Sequence, residues 1–166
     1  MLAAGAVVSA EQAFMNRARA AAFAGSAAIV VNTLLLMLGA KPLHAPRGGL
    51  LKLVDQVLGL SAFTGVGAFL LVHLVVGVGA VAFYWLIAEP LLPGPGIVKG
   101  SLLALAMWLG QSLVVSPLLG EGPLGIYRAT PLGVLYFAFA TWAFGAVLGV
   151  LFQRLTAGRR ALARAQ

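Results

Sequence analysis

Residues 66–88 read VGAFLLVHLVVGVGAVAFYWLIA, a run of twenty-three positions without one lysine, arginine, aspartate or glutamate. At about 1.5 Å of rise per residue such a helix is roughly 35 Å long, enough to cross the roughly 30 Å of hydrocarbon in a bilayer. It is a transmembrane span. Three further stretches meet the same test, near residues 20–39, 97–119 and 131–153, and each ends at a basic residue or at proline and glycine. The rest of the composition agrees. Of 166 residues, 61% are hydrophobic and 9% are charged, with a mean hydropathy of +1.02. A water-soluble domain carries roughly 25% charged residues, so this exterior faces lipid.

The expected fold is therefore all-α: one polytopic membrane domain over residues 1–166, with four transmembrane helices in an up-down bundle. Ser9 and Gln12 have capping-box spacing, which predicts a first helix starting there and frayed residues before it. The long connection after Lys41 and Pro42 holds Leu50, Leu51, Leu53, Val54, Val57 and Leu58 on one helical stripe, which predicts a short interfacial amphipathic helix near 48–59. EPLLPGPG at 89–96 is a tight turn and predicts that spans two and three are antiparallel neighbours. Thr130 before Pro131 supplies an N-cap and a favoured first residue for span four. A basic tail, 154–166, follows.

The chain has eleven lysines and arginines against four acids, and a sequence pI near 10.9. These cations lie at the ends of apolar runs, where they orient the chain and meet anionic lipid; a nucleic-acid partner is not expected. Arg17, Arg19, Lys99, Arg154, Arg159, Arg160 and Arg164 fall on the side of the termini, against Lys41, Arg47, Lys52 and Arg128 on the other. The excess predicts cytoplasmic termini. There is no cysteine, which excludes disulfides, thiolate metal centres and covalently attached haem.

The ionisable and polar groups inside the spans are few. Asn32, His73 and Gln111 all fall about 3–6 Å to the outer side of their span centres, at 1.5 Å per residue, and would form one polar layer. An intramembrane histidine is a functional candidate by default, and the same residues also serve as hydrogen-bond glue between helices; glue is the favoured reading. Trp108 and Trp142 fall near span centres, where an indole N–H needs an acceptor, and they are candidate contacts for protein or cofactor together with His73. Gln111, one turn from Trp108, is the expected acceptor for it. Close helix contacts are marked by Gly77 and Gly79, Gly96 and Gly100, Gly145 and Gly149, and by Ala20, Ala24 and Ala28. Glu89 is expected to form a surface ion pair with Lys99. No metal site is expected. No cofactor is expected either, although a haem b or quinone shared with a partner through His73 is an alternative, since His44 lies outside the spans.

No HExxH, GxSxG or GxxxxGK[ST] motif and no pair of carboxylates occurs, so hydrolase and nucleotide-driven chemistry lack their residues. From His73 onward, the order HLVVG, a proline-rich turn, IVKGSLLALAMWLGQSLVVSPLLGEGPLG and a last span ending GAVLGVLFQRL resembles an uncharacterised family of small bacterial four-span membrane proteins. The likeness covers the last hundred residues, and the first span matches in layout. It implies a bacterial inner membrane and assigns no activity. The residues themselves favour a non-catalytic subunit of a larger membrane assembly, of respiratory or electron-transfer type. The alternatives are a small channel or carrier built on the polar layer and a subunit contacting haem or quinone.

Overall fold

The computed structural model describes residues 2–40, 42–45, 49, 53 and 66–164, with side chains described from 11 to 157 except 40, 66 and 69. Four long helices are present and no strand occurs among the described residues. They are α1 (Leu2–Ala40), α2 (Val66–Phe83), α3 (Gly96–Gly110) and α4 (Pro131–Arg164). Each carries a segment long and apolar enough to cross a membrane: Glu11–Gly39, Leu70–Leu91, Gly96–Leu118 and Pro131–Ala157.

Two helices are longer than expected. α1 begins at Leu2, so the position expected to start the helix, Ser9, lies inside it. α4 likewise stays helical through the basic tail to Arg164. The interfacial helix expected at 48–59 lies outside the described residues apart from Gly49 and Leu53, where the Leu53 N–H donates to Gly49 O at 2.9 Å.

Spans two and three each change pitch before a proline. α2 passes into a π-helical turn, Tyr84–Ala88, then one α-helical turn, Glu89–Leu91. α3 does the same with Gln111–Val115 and Ser116–Leu118. In both, proline stands six positions after the π-turn starts, at Pro90 and Pro117. Proline has no N–H for the carbonyl four residues back and its ring crowds that carbonyl. Widening by one residue relieves both, with the Glu89 N–H bonding Tyr84 O and the Ser116 N–H bonding Gln111 O.

The turn after span two reverses at Gly94, whose φ of 96° suits glycine. The Gly96 N–H at the start of α3 is then accepted by the Gln153 side chain of α4 at 2.6 Å. On the opposite face Thr130 caps α4 through the Gly133 N–H at 3.0 Å, and its hydroxyl donates to Leu43 O at 2.7 Å. That bond ties the start of α4 to the chain leaving α1.

Packing order differs from the expected neighbours. α1 packs against α2 on one side and α4 on the other, and α3 packs along α4. α2 and α3 meet chiefly at the π-turn, because α3 is drawn onto α4 by a glycine seam. Span four is the most buried and span two the least. The main core gathers Ala20, Ala21, Ala24 and Ala28 of α1 around Tyr84, Leu148 and Phe152. In lipid this core is held by close contact rather than by escape from water, which is why small residues dominate it.

Candidate functional site

The α3–α4 seam is made of four glycines. A Cβ on Gly96 or Gly149 would overlap the carbonyl oxygen of the other, and Gly100 and Gly145 stand in the same relation. Two small-xxx-small motifs thus face each other antiparallel with backbone against backbone. On α2, Gly77 admits Ile29, whose Cγ1 would lie 2.7 Å from an added Cβ. Gly79 is no contact: nothing described lies within 4 Å of its Cβ direction, since two positions from Gly77 turn it to the far side of the helix.

Asn32 is buried, and its Nδ2 donates to Ala140 O of α4 at 2.8 Å. Gln111 points elsewhere, its Nε2 lying 3.1 Å from the Cβ position of Gly49. His73 is half-buried on α2. Arg17 pairs with Glu89, Gly25 faces Val81 and Ile29 faces Gly77, so each four residues gained along α1 match four lost along α2. The expected single layer is therefore split, with Asn32 turned to α4 and Gln111 to the connection. Asn32→Leu should lower stability by about 1 kcal/mol, the usual worth of one interhelical bond in a membrane protein. Thermal unfolding in detergent measures it; no loss would mean the bond is not glue.

The tryptophans differ from each other. Trp142 is 46% exposed on the outside of the bundle, and its Nε1 donates to Ser101 Oγ of α3 at 3.0 Å. Trp108 packs on the cluster of Leu36, Phe137 and Ala140. Its Nε1 is buried with no hydrogen-bond partner among the described residues, so Gln111 is not the acceptor. The indole turns toward α4 while the amide turns toward Gly49.

A charged cluster at the terminal side joins three helical segments and went partly unread. The Glu89 carboxylate pairs with Arg17 of α1 and with Lys99 of α3, whose Nζ is 3.6 Å away and also donates to Glu89 O at 2.6 Å. Arg17 lies 5.9 Å from the centre of the Phe152 ring, a cation–π distance. Tyr84 meets that ring edge-on at 5.7 Å, and its fully buried hydroxyl has no partner among the described residues. The readable signal was depth: a cation opening span one and an acid closing span two stand at one level.

Comparison with known proteins places these features in a family. The family model described as a family of unknown function, DUF6789, matches residues 15–163. The chain belongs to DUF6789. The match takes in all four spans, the first included, and both ends of the Arg17–Glu89 pair. No curated protein and no solved structure matches the chain.

Among the described residues no group of three histidine or acidic side chains could hold a metal ion. Asn32, Thr130, Tyr136 and Gln153 each bond the backbone of a neighbouring segment, while Trp142 bonds the Ser101 side chain.

Proposed function

We propose that this multi-pass membrane protein is a non-catalytic, helix-packing subunit of a larger assembly in the bacterial inner membrane, of respiratory or electron-transfer type, with cytoplasmic termini. The observation that carries the reading is the glycine seam. Where α3 and α4 press backbone to backbone, no solute path can run between them, which counts against a channel or carrier within one chain. Span two meanwhile holds α1 by one face and leaves Leu71, Leu74, Val75, Val78 and Leu86 exposed. A neighbouring subunit would contact that side. The seven-to-four excess of lysine and arginine on the terminal side supports the orientation.

The test is extraction from native membrane in mild detergent, followed by native electrophoresis and mass measurement. The expected result is a particle well above the 17.1 kDa of one chain that contains another membrane protein in fixed ratio. A monodisperse species made of this chain alone would overturn the proposal.

A further inference from the structure

Two arginines at the terminal side are left over from the charged cluster. Glu89 takes Arg17 and Lys99, while Arg19 and Arg154 are exposed and form no ion pair among the described residues. The acids that remain among those residues are out of reach of Arg19. Glu11 is eight positions, about 12 Å, back along α1, and Glu121 lies at the opposite end of the bundle.

Helix geometry sets the two arginines on the outside at nearly one depth. Arg17 and the Phe152 ring meet inside the bundle, where α1 and α4 pack as neighbours. Arg19 and Arg154 each follow that contact by two positions, about 200° round their own helices, and so turn away from it. Because the helices run antiparallel, Arg19 is about 3 Å deeper than the contact and Arg154 about 3 Å shallower. Arg19 stands within the span Glu11–Gly39, and the residues four positions to either side, Met15 and Phe23, are 44% and 65% exposed. A cation on such an apolar stripe is costly unless its long arm turns back to the boundary and finds an anion there. Lipid provides one. A guanidinium offers its donors in a planar fork that fits phosphate oxygens.

We propose that Arg19 and Arg154 form a two-pronged seat for the headgroup phosphate of an anionic phospholipid, whose acyl chains run along Met15 and Phe23. The apolar flank selects a lipid over free phosphate. The surrounding charge selects an anionic lipid over a zwitterionic one, since seven lysines and arginines stand on the terminal side against Glu11 and Glu89. The seat goes beyond helix packing and is complete in one chain, so it can be tested without a partner subunit.

The test is native mass spectrometry of the full chain in mild detergent, titrated with phosphatidylglycerol or with phosphatidylcholine of the same acyl chains. Phosphatidylglycerol should bind about five-fold more tightly or better. Arg19→Gln and Arg154→Gln should each weaken it by about five-fold, whereas Arg128→Gln, which removes the same charge from the opposite side, should leave it unchanged. Equal affinity for the two lipids overturns the proposal. So does a loss in neither variant, in only one of them, or equally in all three. A second measurement uses the unaltered chain: the preference for phosphatidylglycerol should shrink as ammonium acetate is raised from about 0.01 M to about 1 M, and a preference that salt does not reduce overturns the seat.

Discussion

Gly100→Ala is expected to leave little folded protein. The added methyl group would occupy the position of the Gly145 carbonyl oxygen, and beyond it the Gly149 backbone N lies at 3.2 Å. Ordinary overpacking costs about 1–3 kcal/mol because side chains can rotate aside. Here the obstacle is backbone, so relief requires α3 and α4 to separate along the seam, and the loss should reach about 3 kcal/mol or more. Separation would also pull the Gly96 N–H from Gln153 Oε1 and the Trp142 indole from Ser101. The control is Gly110→Ala, where nothing described lies within 4 Å of the new Cβ and alanine gains up to about 1 kcal/mol of helix propensity. Thermal unfolding followed by size-exclusion chromatography separates them: the first variant should aggregate far below the parent, the second at or above it. Equal behaviour would mean the seam contributes nothing to stability.

Why the seam's residues could be singled out while their pairing could not is a matter of what spacing encodes. Small residues four apart define a smooth face on one helix, and GIVKG and GAVLG both have it. Spacing says nothing about which face meets which, so Gly79 looked equivalent to Gly77 although only Gly77 touches another helix. The same limit explains the neighbours of span two. A tight turn makes consecutive helices antiparallel, but the pair in closest contact is set by where backbones can approach, and that favoured α3 with α4.

The polar groups were legible as a set and illegible as pairs. Depth placed Asn32, His73 and Gln111 on one level, yet Asn32 found a backbone carbonyl, a partner that every helix offers at every turn and that no sequence pattern marks. Gln111 turned to a glycine in the connection for the same kind of reason. The Trp108 indole faced away from the amide three residues on because packing on Leu36 and Phe137 fixed its direction. The π-turns left only a faint trace. Each stands at one fixed offset before a proline, but a proline there could as well have ended or kinked the helix.

Removing the carboxylate at Glu89 should cost about 2 kcal/mol and should loosen α1 from span two at the terminal side. A half-buried pair lies between two limits: exposed pairs contribute up to about 1 kcal/mol, and breaking a buried one costs about 3–5. Arg17 is 37% exposed along its side chain and Lys99 is 16%, so the full buried value is too high. Glu89→Ala leaves Lys99 Nζ on the Glu89 carbonyl, which the substitution retains, so the loss reports the carboxylate alone. Among the described residues Arg17 then keeps only the Phe152 ring, and two cations face each other without an anion between them. A double-mutant cycle with Arg17→Ala isolates the pair: its coupling energy should exceed about 0.5 kcal/mol, as for residues in direct contact. Additive losses would show that the two side chains stand close without holding the helices together. Because Arg17 reaches the aqueous boundary, the coupling should also weaken as salt is raised from 0.01 M to 1 M, where the Debye length falls from about 30 Å to about 3 Å. A coupling indifferent to salt would instead place the whole cluster beyond the reach of solvent ions.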